Sequence, residues 1–406
     1  MAAEATDAAL EVLLSLFDDG TLAWPAAGGA LFLRAREGAA LARAPRPGLI
    51  CEQSFAPEAN ALRRAGRTLR EAYPTHGDDG DGDGGDGDEA QRYPLVLALP
   101  PRQREEARAL LARAVAQCTE GGVVVACTTN DEGAKSGEAD MKALAGLSGT
   151  RSKHHCRAYW TTVRRTPPST AVDVDAHTVE TQTVETQTVD RALSSTWASL
   201  DAPRPIAEGR FLSRPGVFAW DRIDAASALL AASLPDDLRG RAADLGAGYG
   251  YLSVELLQRC PGIVAVDLYE AEARALALAE RNLAPFASRA ALEFHWCDVV
   301  EGLRGRYDAI VANPPFHAQS RADRPDIGRA FIAVAADALE PGGRLWLVAN
   351  RHLPYESVLD ARFGTVRTAA QAQGFKVIEA TKASANRGAA RSARAARAAR
   401  TGSTRA

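Results

Sequence analysis

The 406-residue chain predicts an α/β protein of two tandem doubly wound domains, the first degenerate and the second carrying the chemistry. Two observations carry this expectation. From 192 to 382, apolar strand-like runs alternate with helical ones, and a glycine-rich turn follows the first strand of that series. From 1 to 165 the same alternation recurs without such a turn, and a hydrophobic content of 46% is enough to fill two cores.

In the first segment, 4–17 has helical spacing, 30–33 and 48–51 read as short strands, and 56–66 is helical again. An apolar strand at 94–99 is followed by a helix opened by Pro101 and expected to reach 120, then by a strand at 123–127. Strand, helix, strand implies parallel pairing. Gly28-Gly29 stand where a nucleotide loop would begin, but the pattern acid-x-Gly-x-Gly-x-Gly is missing, so a domain without a cofactor is expected.

Two stretches interrupt the pattern. Residues 77–89 hold seven acids and no base; Asp79, Asp81, Asp83 and Gly84 match the first half of an EF-hand loop, but its twelfth position is Ala90 rather than glutamate. A solvated, flexible insertion is expected there. Residues 166–191 are rich in Pro, Thr and Val and contain a five-residue repeat, Thr178-Val179-Glu180-Thr181-Gln182, in two copies, too few for a solenoid. This stretch reads as a flexible linker.

The second segment is clearer. A helix at 221–234 precedes a strand at 241–245, a helix at 251–259, a strand at 263–267 and a helix at 270–282. Strands follow at 291–296 and 307–312, then a helix at 327–339 stopped by Pro341-Gly342-Gly343, then strands at 344–350 and 375–380. A mainly parallel sheet covered on both faces follows, with ligands at the carboxyl ends of its strands.

Composition removes several function classes. No apolar run approaches the roughly 18 residues that span a bilayer, and Met1-Ala2-Ala3-Glu4 lacks the basic and apolar regions of a signal peptide, so a cytoplasmic protein without membrane contact is expected. The six cysteines form no CxxC pair and the seven histidines no cluster at ligand spacing; buried thiols and no metal are expected. The net charge of -3 conceals the acidic run at 77–89 and an arginine-rich tail at 383–406, between which the chain is near neutral. Any nucleic-acid contact must come from local basic patches, such as Arg151, Lys153, His154, His155 and Arg157.

The chemistry concentrates in three places. Asp244 precedes Gly246, Gly248 and Gly250, a turn that lets backbone approach a ligand. An acid two residues before the first glycine repels a pyrophosphate and favours an ammonium. Asp267 is expected at the tip of the next strand, facing the hydroxyls of a ribose, and Asp298, after the third strand, facing an adenine amino group. S-adenosylmethionine, with an amino acid, a ribose and no phosphate, suits this set. About 65 residues beyond the glycine turn, Asn313-Pro314-Pro315-Phe316 follows an apolar strand. The Asn313 side-chain oxygen and the Pro314 carbonyl can hold the two hydrogens of an aromatic amine, turning its lone pair outward, while Phe316 stacks on the ring. His317 contacts substrate or caps the next helix.

These residues resemble a family. Residues 195–382 resemble the class I S-adenosylmethionine-dependent methyltransferases, and in detail the bacterial ribosomal RNA guanine-N2 methyltransferases that act on small-subunit RNA. The resemblance runs through Arg214-Pro215-Gly216-Val217-Phe218 with Asp221 and Ile223-Asp224, the Asp244 turn, Ala312-Asn313-Pro314-Pro315-Phe316-His317, and Asn350-Arg351-His352-Leu353-Pro354-Tyr355. It implies two Rossmann-like domains, the first a degenerate twin that supports folding and RNA placement. A weaker match there rests on Leu97-Ala98-Leu99-Pro100-Pro101 and on Asn130-Asp131-Glu132-Gly133. It further implies an enzyme that methylates N2 of a guanine in 16S ribosomal RNA, binding the RNA or the small subunit as a monomer. Cofactor contacts would come from Asp244, Gly246, Gly248, Asp267, Asp298 and Asn313, and catalysis from Asn313, Pro314 and Phe316. Asp298 stands where some relatives have asparagine. Large-subunit guanine methylation, adenine-N6 or glutamine-N5 methylation, and a noncatalytic RNA-binding assembly factor are the alternatives.

The arginines of the tail recur at near-helical intervals, as a segment lying along phosphates requires. Deleting 384–406 is expected to flatten the salt dependence of RNA binding, measured by titration across ionic strengths; an unchanged slope removes the tail from the interface.

Overall fold

The computed structural model describes residues 7–70, 91–166, 187–315 and 325–384. The expected acidic insertion, most of the expected linker and nearly all of the arginine-rich tail lie outside the described residues. The chain divides into two compact units, Met1–Pro203 with Arg214–Gly216, and Arg204–Ser213 with Val217–Ala406.

The first unit contains helix α1 (Ala8–Asp18), strand β1 (Ala30–Leu33), α2 (Ala39–Ala42), β2 (Leu49–Glu52), α3 (Ala56–Arg64), β3 (Thr68–Arg70), β4 (Tyr93–Ala98) and α4 (Arg104–Ala116). β5 (Cys118–Thr129), α5 (Ala134–Ala145), β6 (Gly149–Lys153), β7 (Cys156–Thr162) and α6 (Arg191–Ala198) complete it. Its seven strands run in the order β3-β2-β1-β4-β5-β7-β6, parallel except that β7 is antiparallel to both neighbours. Alternate residues of each strand feed opposite cores: Phe32 and Leu97 one face, Leu31 and Val96 the other.

The expected boundary at 192 is corrected here. The Asp190 side chain accepts from Leu193 N at 2.9 Å and caps α6, whose Trp197 is buried in the first unit's core. Residues up to Pro203 therefore belong to the first unit.

The second unit opens with a hairpin of β8 (Arg204–Ile206) and β9 (Phe211–Ser213), then α7 (Ala225–Ser233), β10 (Arg239–Leu245), α8 (Tyr251–Arg259), β11 (Gly262–Glu270), α9 (Ala273–Leu283) and β12 (Ala291–Trp296). β13 (Tyr307–Ala312), α10 (Pro325–Ala338), β14 (Leu339–Asn350), α11 (Glu356–Arg362), β15 (Thr365–Ala372) and β16 (Phe375–Thr381) follow. The order is β12-β11-β10-β13-β14-β16-β15, the same as in the first unit, with β16 antiparallel to its neighbours. Five of the cysteines are buried and Cys297 is half-buried. No helix of the described residues is long and apolar enough to cross a membrane.

The two sheets match position by position. β1 pairs with β4 through Leu33↔Ala98, and β10 with β13 through Leu245↔Ala312, each alanine being followed by a residue and then Pro-Pro. Tyr93 and Tyr307 open the equivalent strands, and the pairing register shifts just after each of them. In this alignment Phe32 stands at the position of Asp244, Arg34 at Gly246, Gln53 at Glu270 and Leu99 at Asn313. The first unit has kept the backbone and lost two of the polar groups, Phe32 and Leu99 being buried apolar side chains, while Gln53 stays polar and hydrogen-bonded.

One glycine fixes how α8 meets α9. Gly250 has φ +88°, and a Cβ there would lie 2.6 Å from Leu283 Cδ1 and 3.3 Å from Ala279 Cα. Gly250→Ala is expected to destabilise the protein by about 1–3 kcal/mol through overpacking and left-handed strain, read as a lower thermal midpoint; an unchanged midpoint would mean that the helices part without cost.

Candidate active site

In the second sheet the strand order reverses at β10 and β13, whose carboxyl ends lie side by side. Such a switch point opens a crevice, because the helices following the two strands depart to opposite faces. The turn after β10 is built from left-handed glycines, Gly246 at φ +73°, Gly248 at +57° and Gly250 at +88°. Its backbone is held from β11: Gly246 N and Ala247 N donate to Tyr269 O at 2.8 and 3.2 Å, and Gly248 N donates to the Glu270 carboxylate at 2.7 Å. The other Glu270 oxygen accepts from Glu272 N at 2.8 Å.

The acid at the tip of β11 is therefore Glu270, which corrects the expectation for Asp267. The strand continues three residues further than its apolar run suggests, through Leu268 and Tyr269. Asp267 is buried within the sheet, where it accepts from Arg241 at 2.9 Å and from the Tyr307 hydroxyl at 2.6 Å. Burial alone raises its pKa, but the nearby His295 ring, Tyr307 and Arg241 outweigh that and hold the carboxyl below its usual range. Asp267, Glu293 and His295 are also close enough to share a cation. Arg241 already supplies that charge, 2.9 Å from Asp267 and 3.7 Å from Glu293.

Asp244 is placed beneath the glycine turn with no exposed surface. Its Oδ2 accepts from the Ser253 hydroxyl at 2.7 Å, while Oδ1 has no hydrogen-bond partner. Burial, against the Ser253 bond and reinforced by the charge of Glu270, pushes its pKa up to about 7. Glu270 is likewise raised by desolvation. Two acids at one turn, one of them with an unsatisfied oxygen, form a place for a cationic or hydroxyl-bearing ligand.

Asn313 follows β13 directly. A Cβ placed on Gly246 would lie 4.0 Å from the Asn313 carbonyl oxygen, so the glycine turn and the Asn-Pro-Pro segment adjoin. The Asn313 amide nitrogen donates to Asp224 Oδ2 at 3.0 Å and to Ser227 Oγ at 2.8 Å, and its Oδ1 is buried without a partner. The same Asp224 oxygen caps α7 by accepting from Ser227 N at 2.8 Å. The helix expected from 221 thus begins at Ala225. Pro314 is buried and Pro315 exposed; Phe316 and His317 lie outside the described residues.

Asp298, two residues beyond β12, accepts from Val300 N at 3.1 Å, capping a short helical turn. Asn282 braces the site from α9: it exchanges bonds with Leu212 N and O at 2.8 and 2.9 Å and donates to Tyr249 O at 2.8 Å. Glu270, Asp224, Ser227 and Asn282 were not assigned roles from the sequence. Asp224 carried a signal, an Asp-x-x-Ser cap before an apolar helix, whereas Glu270 fell within the helix expected at 270–282 and ends β11 instead.

The basic cluster expected in the first unit is partly neutralised. Arg151 is paired with Asp19 and Arg157 with Glu138, leaving Lys153, His154 and His155 exposed on the β6–β7 turn.

Residues 208–379 match the family model of the methyltransferase small domain. The chain is 28% identical over 282 residues to ribosomal RNA small subunit methyltransferase C of Pasteurella multocida, covering 68% of this chain and 76% of the relative. It is 36% identical over 178 residues to the protein of that name from Alcanivorax borkumensis, covering 43% and 53%. Among solved structures it is similar to the T. thermophilus 16S rRNA N2 G1207 methyltransferase in complex with AdoMet and guanosine. That likeness has a TM-score of 0.68 and 24% identity, and it covers 94% of each chain. At that identity the likeness establishes a common two-domain fold.

Because the native Asp244 pKa lies above the ordinary carboxylate value, the folded state retains a proton that the unfolded state has lost, and stability declines as pH rises toward 7. Asp244→Asn, which keeps an acceptor for Ser253, is expected to raise the thermal midpoint of the unliganded protein at pH 8, with the gain shrinking towards pH 5. A gain independent of pH would show that the carboxyl is not the titrating group.

Proposed function

Taking residues 208–379 as a methyltransferase small domain, we propose that this chain is an enzyme that transfers a methyl group from S-adenosylmethionine to N2 of a guanine in 16S ribosomal RNA. The observation that carries this reading is the unpartnered Asn313 Oδ1 at the switch point, an acceptor beside a glycine turn with two acids. The names of the relatives favour small-subunit over large-subunit RNA.

The residues fit the cofactor. Glu270, at the end of β11, would accept the ribose hydroxyls, the unsatisfied Asp244 Oδ1 would receive the ammonium, and Asp298 would take the adenine amine. S-adenosylmethionine supplies an electrophilic methyl group on a sulfonium, so the chain's own task is to position the acceptor. An aromatic amine is a weak nucleophile while its lone pair is delocalised into the ring. Asn313 Oδ1 and the Pro314 carbonyl each accept one of its N–H groups, which fixes the nitrogen and leaves its lone pair facing away from them. Proton loss follows alkylation, when the nitrogen is acidic, and requires no strong base. Phe316 is proposed to stack on the guanine. Ribosomal RNA is the partner, presented as RNA or small subunit to a monomer in the cytoplasm. The first unit, with Phe32 and Leu99 where the second has Asp244 and Asn313, serves folding and RNA placement rather than transfer.

Asn313→Ala is expected to lower methyl transfer to unmodified small-subunit RNA by about 100-fold or more, while the Kd for S-adenosylmethionine by calorimetry stays within about twofold of wild type. Transfer at the wild-type rate would sink the assignment. Mapping of modified guanines by mass spectrometry identifies the base.

A further inference from the structure

We infer that Asp224 and Ser227, on the first turn of α7, are positioning residues that determine which end of the Asn313 amide faces the methyl acceptor. The inference rests on the reading of Asn313 given above and extends it to the polarity of the site. An amide side chain is ambiguous: rotated by half a turn, it presents two donors where it had presented an acceptor. Here the rotation is blocked from one side. A carboxylate only accepts, so the group 3.0 Å from Asp224 Oδ2 must be the amide nitrogen, and that nitrogen spends its second hydrogen on Ser227 Oγ at 2.8 Å. Both donors are consumed and Oδ1 is turned to the other side, buried and unpartnered.

The consequence is chemical selection. A site that offers only acceptors, Oδ1 and the Pro314 carbonyl, holds an atom bearing hydrogens and is repelled by a ring nitrogen or carbonyl oxygen that presents a lone pair. Of the groups on a guanine edge, the exocyclic amine satisfies this and N7 and O6 do not. The polarity lock thus excludes methylation at those two positions before any contact with the rest of the base is made. The arrangement is also economical in residues: one Asp224 oxygen caps α7 through Ser227 N at 2.8 Å and anchors Asn313, so the helix terminus and the catalytic amide are fixed to the same atom.

A reciprocal exchange tests this in the full-length protein. Asn313→Asp alone sets a carboxylate against Asp224 and is expected to lose transfer by about 100-fold or more. In the double variant D224N/N313D the polarity is restored from the opposite side: the amide nitrogen introduced at position 224, standing where Oδ2 stood, gives up the bond from Ser227 N and donates to the new carboxylate, whose second oxygen still faces the acceptor. Recovery of at least about tenfold over the single variant is expected, one hydrogen bond's worth of rate. Ser227→Ala, which leaves the backbone cap intact, is expected to lower kcat by about three- to tenfold, with KM for RNA and the cofactor Kd little changed.

A double variant no more active than Asn313→Asp, together with full activity in Ser227→Ala, overturns the inference. If Asn313→Ala itself retains activity, it is the assignment of Asn313 that fails. Circular dichroism and thermal midpoints separate both outcomes from loss of α7, whose side-chain cap D224N gives up.

Discussion

The parallel pairing of β10 with β13, registered at Leu245↔Ala312, is the constraint on which the rest of the second unit depends. It sets the ends of two strands level, so that the residue after one is a glycine and the residue after the other is Asn313. Each flank then secures its own part. β11 holds the turn through Tyr269 O and Glu270, and α7 holds the amide through Asp224. None of these bonds is long-range in energy, and each is worth only about 1 kcal/mol net. Their effect is geometric: they leave two buried oxygens, Asp244 Oδ1 and Asn313 Oδ1, without protein donors. Such atoms are costly in an empty protein and favourable once a ligand donates to them.

Much of this was legible in the chain. Buried parallel strands are continuous apolar runs, and those of the second unit announced themselves, as did the glycine turn and Asn313-Pro314-Pro315. What escaped were the interior strand β7, the β8–β9 hairpin and edge strands. β3, β6 and β15 bury little and carry few apolar residues, so no period marks them. The end of β11 was misplaced for a related reason. Asp267 interrupts an apolar run and so looks like its end, whereas the strand tolerates that charge because Arg241 and Tyr307 meet it inside the sheet. An ion pair formed in three dimensions leaves no local trace in sequence. Asp224 was named only within the Ile223-Asp224 motif of the resemblance; its bond to a residue 89 positions away required the fold.

The first unit shows how little of the scaffold the site needs to consume. The same strand order, the same Pro-Pro after the fourth strand and the same register shift behind a tyrosine persist there. Two substitutions relative to its twin, Phe32 and Leu99, replace an acid and an amide with packed hydrocarbon. Filling the position of Asp244 with Phe removes a buried carboxyl that would otherwise be held near its titration point, so what the first unit gives up in chemistry it recovers in core packing.

The place of β16 carries a consequence for how the protein is made. This strand comes last in the described chain yet lies inside the sheet, between β14 and β15, with residues as far as Thr381 paired on both sides. During synthesis β14 and β15 emerge first, with a strand-wide gap between them. Until 375–381 arrives, β14 presents an open, apolar edge running through Leu345, Leu347 and Val348, the kind of edge that pairs with a neighbouring chain as readily as with its own. Closure of the second unit's sheet thus waits for residues 375–381, and until they pair the edge of β14 is open to a neighbouring chain.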